Sequence, residues 1–167
     1  MTDVTVKKLT PDQIEQTHSL YLNIVAELYP SEDAQRIFGN QWGQDLLARE
    51  CIDRQAALFT AAVPDHPLAG LLFGSKIEGG VGTVNWLGVD ESCRGRFVGR
   101  GLLDTVEKFY AELGAHKTKM YCNTLAAQNF YISRGYQVEG FHPQHWWGMD
   151  CWSMGKLTTP GCGKEIE

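Results

Sequence analysis

Residues 87–103 read LGVDESCRGRFVGRGLL and pass from an apolar segment through a loop rich in glycine and arginine into an amphipathic segment. The first N–H groups of a helix have no partner within it, and the helix dipole favours an anion there. Glycines let the main chain approach such an anion closely, and Arg94, Arg96 and Arg100 supply donors suited to phosphate oxygens. The order of these parts predicts a phosphate site at residues 94–101, although an isolated loop of this composition can also be a solvated turn.

This stretch resembles the acyl-CoA-binding motif of the GCN5-related N-acetyltransferase (GNAT) family, in which Arg/Gln-x-x-Gly-x-Gly/Ala leads into a helix. With Arg94 at its start the motif needs no gap, so that Gly99 takes the second glycine position and Phe97 the first. A start at Arg96 keeps both glycines, Gly99 and Gly101, but lengthens the preceding loop by two residues. The ungapped alignment is preferred, and in either alignment the same loop would hold the cofactor's phosphates.

A second segment, TLAAQNFYISRGY at residues 124–136, resembles the family's Asn-x-x-Ala-x-x-Leu/Phe-Tyr-x-x-x-Gly-Phe/Tyr pattern. The positions in register are Ala127, Phe130, Tyr131, Gly135 and Tyr136. Thr124 stands where the family has an asparagine that contacts the pantetheine arm, and a threonine hydroxyl also donates and accepts hydrogen bonds. The resemblance implies that Tyr131 is the general acid for the departing CoA thiolate, because a phenol with a pKa of about 10 is protonated at neutral pH.

The resemblance implies an α/β (α+β) fold, with a central, mostly antiparallel mixed sheet flanked by helices. A single domain would span residues 1–157, followed by a tail at 158–167. It further implies an N-acetyltransferase that moves the acetyl group of its cosubstrate acetyl-CoA to a primary amine by direct attack, without a metal. Backbone N–H groups at the end of the strand before the loop would meet the thioester carbonyl. The implied cofactor-binding residues are Leu87, Gly88, Val89, Arg94, Gly95, Arg96, Phe97, Val98, Gly99, Arg100, Gly101 and Thr124.

The general base and the acceptor stay open at this point. Glu27, His142 and His145 fall in regions that line the acceptor cleft of such folds, and a water chain is a fourth option. Aromatic residues could wall the pocket and attract a cationic amine, or simply pack the last hairpin. They are Trp42, Phe141, Trp146, Trp147 and Trp152. The acceptor could be a small molecule or a peptide, and a second copy of the chain could pair through the final hairpin.

Composition excludes several other classes of protein. The 167 residues are 43% hydrophobic and 21% charged, which is globular and not disordered composition. A net charge of −5 argues against nucleic acid as the main partner, and no apolar run approaches the roughly 20 residues of a membrane span. Without a signal-peptide pattern, the cytoplasm is the expected compartment. The five cysteines show no metal or disulfide spacing, and Cys93 is either a reactive thiol beside the arginines or a small packed residue.

Hydrophobic periodicity predicts the order of elements. Strands are expected at residues 4–6, 56–63, 68–77, 81–89, 119–123, 137–141 and 151–157. Helices are expected from a cap at Thr10 to Tyr29, at 31–53 with a break near 39–40, at 101–113 and at 126–134. At the first helix, Thr10 and Gln13 form a predicted capping box with Pro11 in the first turn.

Two other functions remain open on the sequence alone. One is a CoA-binding module without catalysis, because Phe97 and Thr124 depart from the family pattern. The other is a small α/β protein that binds a different nucleotide. The P-loop lysine motif and the dinucleotide G-x-G-x-x-G motif are both missing from the sequence, which ranks this last.

Overall fold

The computed structural model describes residues 3–158 as a sheet flanked by helices. Its strands are β1 (Thr5–Lys8), β2 (Ala57–Val63), β3 (His66–Gly74), β4 (Val81–Val89), β5 (Lys117–Cys122), β6 (Gln137–His142) and β7 (Cys151–Leu157). Its helices are α1 (Ile14–Leu28), α2 (Glu32–Gln41), α3 (Gln44–Glu50), α4 (Val98–Glu112) and α5 (Leu125–Ser133). Short 3₁₀ turns lie at Pro11–Gln13, Glu91–Cys93 and Trp146–Gly148.

The seven strands form one sheet in the order β1-β2-β3-β4-β5-β7-β6. Strands β1, β2 and β3 pair antiparallel in sequence, and β7 pairs antiparallel with both β5 and β6. Strands β4 and β5 pair in parallel. The predicted fold class, a mostly antiparallel mixed sheet flanked by helices, is confirmed. No helix among residues 3–158 is long and apolar enough to cross a membrane.

Contacts divide the described chain into two compact units. The first contains the described residues up to Gly74 together with Trp86–Val106, and the second contains Ser75–Asn85 together with the described residues from Glu107 onward. The expected tail falls almost wholly outside the described residues, as does Cys162. The expected single domain over residues 1–157 stays a prediction.

The first unit has an aromatic core between α1 and the sheet. Tyr21 of α1 is fully buried, with its ring centroid 5.5 Å from that of Phe73 and 5.0 Å from that of Trp86. Trp42 packs on the same Phe73 at 5.2 Å. Trp42 is therefore a core residue of this unit and not part of an exposed aromatic wall.

The start of α4 packs directly on β3 at Gly70. A Cβ atom built on Gly70 would lie 2.8 Å from Val98 Cγ1, 2.9 Å from the Gly88 carbonyl oxygen and 3.1 Å from Leu102 Cδ1. The Gly88 carbonyl belongs to the backbone of β4 and cannot rotate away, and two side chains of α4 close the other side, so that a side chain here must displace the end of β4 or the start of α4. Close packing at Gly70 thus fixes the position of the first turn of α4.

We expect Gly70→Ala to destabilise the fold by about 1–3 kcal/mol through overpacking. The measurement is the free energy of unfolding from urea titration. Gly43→Ala is the matched control, because its Cβ would meet only the Asn40 carbonyl oxygen at an ordinary 3.5 Å. Equal stability of the two variants would contradict the packing described for α4.

In the second unit, Tyr110 of α4 packs against the sheet. Its ring leaves no room for a side chain on Gly82, whose Cβ would lie 2.3 Å from Tyr110 Cδ2. The Tyr110 hydroxyl lies 2.8 Å from the Ser75 carbonyl oxygen and 2.9 Å from that of Thr83. This hydroxyl therefore satisfies its hydrogen-bonding potential although the side chain is buried.

Four local predictions were wrong in detail, the first being β3, which spans His66–Gly74 and not residues 68–77. Helix α4 begins at Val98 and not at residue 101, because the left-handed backbone of Phe97 (φ 65°) ends the loop earlier. The second helical stretch breaks at Trp42 and Gly43, since Gly39 remains helical and buried. At the first helix, Thr10 Oγ1 bonds the Gln13 side chain at 3.1 Å instead of capping a backbone N–H.

Candidate functional site

The first turn of α4 presents backbone N–H groups at the end of the glycine-rich loop. The Gly101 N–H donates to the Phe97 carbonyl at 3.0 Å, which is the first helical hydrogen bond. The N–H groups of Val98, Gly99 and Arg100 precede that bond and have no partner within the helix. Leu102 and Val98 are buried at 0% and 1% exposure and hold this turn against the first unit. The predicted anion site therefore has the geometry of a helix N-terminus.

Phe97 has an unusual backbone and an exposed ring. Its φ of 65° is a left-handed value that favours glycine, and its side chain is 62% exposed. It stands where the family pattern in the preferred alignment has a glycine. The loop thus keeps a glycine-like conformation with a phenylalanine in it, at a cost of about 1–2 kcal/mol.

We expect Phe97→Gly to be about 1 kcal/mol more stable than Phe97→Ala, because only glycine relieves the left-handed strain. Both variants lose the exposed phenyl ring and its contacts. The difference in stability between them therefore reports only on the backbone conformation of residue 97. Urea unfolding of the two proteins measures the difference. If alanine were as stable as glycine at this position, the left-handed conformation of residue 97 would be wrong.

The three arginines of the loop already have carboxylate partners. Arg94 bonds Glu27 of α1, Arg96 makes a two-point contact with Asp65, and Arg100 Nε lies 3.6 Å from Asp104. Exposed pairs of this kind contribute little stability, so that a ligand phosphate can displace the carboxylates. The backbone N–H groups in the first turn of α4 have no carboxylate to displace. They are therefore the stronger candidates for binding an anion.

Glu27 is a weaker base than its position alone would suggest. The hydrogen bond from Arg94, helped by the attraction of its charge, lowers the pKa of the Glu27 carboxyl. A carboxylate with a lowered pKa accepts a proton less readily from an ammonium group. The pairing with Arg94 therefore argues against Glu27 among the candidate bases.

Strand β4 continues beyond its pairing with β5. The described pairs join Val81 with Lys117 through Val84 with Met120, while β4 itself ends at Val89. The stretch beyond these pairs includes Leu87, Gly88 and Val89, the residues predicted to face a thioester carbonyl. Within the first unit, Gly88 is covered closely by Ile24 of α1, whose Cδ1 lies 2.2 Å from where a Cβ would be.

An anionic groove runs along α1 at the end of β4, wholly within the first unit. Its volume is about 740 Å³. Its lining comprises Leu20, Asn23, Ile24, Glu27, Val89, Asp90, Glu91, Ser92 and Arg94. A hydrogen bond from Ser92 is the main cause that lowers the pKa of the Asp90 carboxyl. Its carboxylates make the groove suitable for a cation.

A smaller cavity of about 440 Å³ adjoins this groove and shares Leu20, Asn23 and Asp90 with it. His66 at the start of β3 lines the cavity, with Nε2 at 3.9 Å from Asp90 Oδ1. Sequence reasoning missed His66, because the Pro64–Pro67 segment reads only as a turn. Its partner Asp90 is 24 residues away along the chain, so their contact produces no local sequence pattern.

Helix α5 in the second unit carries the other two predicted site residues. The Thr124 hydroxyl caps the helix by accepting from the Ala127 N–H at 3.2 Å, and it retains its own hydrogen for donation. Tyr131 is 7% exposed, with its ring 5.3 Å from Phe130 and 5.8 Å from Tyr136. Burial raises the pKa of Tyr131, which keeps the phenol protonated over a wide pH range.

The two candidate histidine bases lie together in the last hairpin. The ring centroids of His142 and His145 are 5.3 Å apart, and Trp146 lies 4.7 Å from His145. Tyr121 of β5 completes this group at 5.8 Å from Trp146. Elsewhere in the hairpin, Phe141 packs on Trp152 at 5.4 Å. Of the aromatic residues predicted to wall a pocket, Trp146 therefore lies beside the candidate imidazoles, whereas Phe141 and Trp152 pack on each other.

A model of the acetyltransferase (GNAT) family matches residues 20–136 of the chain, which is more than half of its length. The chain belongs to this family. The match includes the loop, the start of α4 and the whole of α5. A comparison with curated protein sequences found no match.

Solved structures share this GNAT fold at low sequence identity. The PaiA N-acetyltransferase from Thermoplasma acidophilum in complex with coenzyme A is 18% identical, with a TM-score of 0.75 over 93% of this chain and 99% of that one. The ribosomal-protein-S18-alanine N-acetyltransferase from Escherichia coli is 15% identical, with a TM-score of 0.70 over 99% of both chains. A chimera of the spermidine N-acetyltransferase SpeG from Vibrio cholerae and hSSAT is 16% identical, with a TM-score of 0.71 over 93% of this chain and 95% of that one.

Proposed function

We propose that this GNAT protein transfers the acetyl group of acetyl-CoA to a primary amine by direct attack. The observation that carries the proposal is the N-terminus of α4, where the N–H groups of Val98, Gly99 and Arg100 precede the first helical bond. That arrangement suits the diphosphate of coenzyme A, which one protein of the same fold binds. The backbone of this diphosphate site would be shaped by Gly95, Phe97 and Gly101. Hydrogen-bond donors at its edge would come from Arg94, Arg96 and Arg100, once these side chains leave their carboxylate partners.

The acyl end of the cofactor would lie along β4. Backbone N–H groups in the stretch Leu87–Val89 would stabilise the oxyanion that forms when the amine attacks the thioester carbonyl. The carbon–nitrogen bond forms, the carbon–sulfur bond breaks, and the thiolate takes a proton. Tyr131, which stands at the tyrosine position of the family motif, would supply that proton, and burial keeps its phenol in the protonated form. The nitrogen, positively charged after the attack, releases one proton to solvent as the amide forms, and the proton donor regains its proton from solvent. Thr124 would donate its remaining hydrogen to the pantetheine arm.

The acceptor would be a cationic amine that enters the groove beside α1. Glu27, Asp90 and Glu91 supply negative charge there, and the amine must lose a proton before it attacks. A general base or a chain of water molecules would take that proton. The cytoplasm fits the four free cysteines among the described residues, because reducing compartments keep thiols unpaired.

The test measures thiol release from acetyl-CoA across classes of amine. We expect transfer to at least one of a polyamine, an aminoglycoside, an alanine-ended peptide and a lysine peptide, with a rate well above hydrolysis alone. Coenzyme A binding without transfer to any amine would favour the second candidate, a non-catalytic acyl-CoA module. The glycine position held by Phe97 is the observation behind that candidate.

A further inference from the structure

We propose that His66, Asp90 and Cys93 form a binding site for a divalent cation of the zinc class. His66 begins β3, Asp90 directly follows β4, and Cys93 ends the 3₁₀ turn before the phosphate loop. Each offers one ligand atom, and these atoms all lie within 4.8 Å of one another. All three belong to the first unit, and Asp90 also lines the groove proposed for the acceptor amine.

The donor set and its dimensions suit a tetrahedral ion. Imidazole nitrogen, carboxylate oxygen and thiolate sulfur are the usual zinc ligands, and the bond lengths require ligand atoms about 3.4–3.6 Å apart. His66 Nε2 already lies 3.9 Å from Asp90 Oδ1. Closing the remaining gaps needs a contraction of about 1 Å, which side-chain rotation can provide.

Two of the three groups present buried atoms that an ion could bind. His66 Nδ1 is buried without a hydrogen-bond partner, which is costly for an imidazole nitrogen. Coordination through Nδ1 would satisfy that atom, and coordination through Nε2 would use the nitrogen that faces Asp90. Cys93 is fully buried, and its thiol has a long 3.7 Å contact with Ser92 Oγ and a side-chain interaction with Arg96. A metal ion would give both groups a strong interaction.

The charges around the site favour a dication. Asp90 is one anion, and Cys93 becomes a second when the incoming metal displaces its thiol proton, which passes to solvent. Arg96 interacts with the Cys93 thiol, and its charge is matched by its two-point contact with Asp65. Arg94 is likewise matched by Glu27. The negative charges of Asp90 and the Cys93 thiolate would thus neutralise the two positive charges of the ion.

Three protein ligands leave one tetrahedral position for water or another small ligand. His66 and Asp90 both line the 440 Å³ cavity, so the fourth position would open into it. The ion would also fasten the end of β4 to the turn that leads into the phosphate loop. We therefore expect it to stabilise the fold and to exchange its fourth ligand freely.

Cobalt titration of chelator-treated, reduced protein tests the site, because a cobalt–thiolate bond absorbs in the near ultraviolet. We expect a saturable charge-transfer band and tetrahedral visible bands in the wild type. His66→Ala and Cys93→Ser should each weaken binding at least about 100-fold, whereas Cys51→Ser, which removes a cysteine outside the cluster, should bind as the wild type does. His66 is partly exposed, so its variant remains informative if Cys93→Ser folds poorly.

Zinc should raise the Tm of the wild type by about 5 °C at a hundredfold excess over its Kd, and leave His66→Ala unchanged. A wild type without a thiolate band would overturn the site. So would a band that survives in both His66→Ala and Cys93→Ser. Coenzyme A binding, measured separately on metal-free protein, reports on the proposed function and not on this site.

Discussion

Tyr131→Phe should lower kcat about 100-fold or more while leaving the Kd for coenzyme A unchanged. A positioned general acid contributes roughly 10²–10⁴-fold to such reactions, and phenylalanine removes only the proton donor. Burial raises the pKa of this phenol, so the wild type should not lose activity as the pH rises through the ordinary tyrosine value of about 10. Thiol-release kinetics and calorimetry measure the two quantities.

Tyr136→Phe is the control, because it removes the same atom from a buried ring 5.8 Å away. We expect its kcat to stay within about threefold of the wild type, since the proposed mechanism gives it no proton to transfer. If Tyr131→Phe turned over as fast as Tyr136→Phe, the departing thiolate would have to take its proton from water or from another residue. The proposed role of Tyr131 would then be wrong.

Gly99→Asp should weaken coenzyme A binding about 100-fold, which corresponds to about 2.7 kcal/mol. The new carboxylate would stand in the first turn of α4, where the cofactor's diphosphate is proposed to bind, and the two anions would repel each other. The fold should not suffer, because an acidic side chain at a helix N-terminus is stabilising by about 0.3–1 kcal/mol. Calorimetry gives the affinity and thermal unfolding gives the stability.

Gly99→Ala separates the effect of charge from that of size. It adds a Cβ at the same position without a charge, and we expect its affinity to stay within about fivefold of the wild type. Because repulsion between exposed charges is screened, added salt should narrow the gap between the two variants. Equal affinity of Gly99→Asp and Gly99→Ala at low salt would place the phosphates elsewhere.

Local patterns predicted the elements that build the site. Strand β4 begins and ends at the residues expected from its apolar run, and the glycines after it predicted the loop. Helix α5 follows the expected bounds within one residue, because Thr124 and Gly135 mark its ends chemically. Each of these features depends only on residues that are close together in the sequence, so it can be predicted from the sequence alone.

The missed features depend on contacts between distant residues or on backbone strain. Arg94 and Glu27 are 67 residues apart, so their pairing and its effect on the pKa of Glu27 have no local pattern. The grouping of His66 with Asp90 and Cys93 has the same origin. The early start of α4 was missed because Phe97 adopts a left-handed backbone that its residue type does not favour.

Titration of wild-type protein with coenzyme A in a calorimeter tests the central claim most directly, namely that the first turn of α4 grips the cofactor's diphosphate. The account predicts saturable one-to-one binding that Gly99→Asp greatly weakens and Gly99→Ala largely retains. Folded wild-type protein that gives no heat with coenzyme A or acetyl-CoA at several temperatures would contradict it.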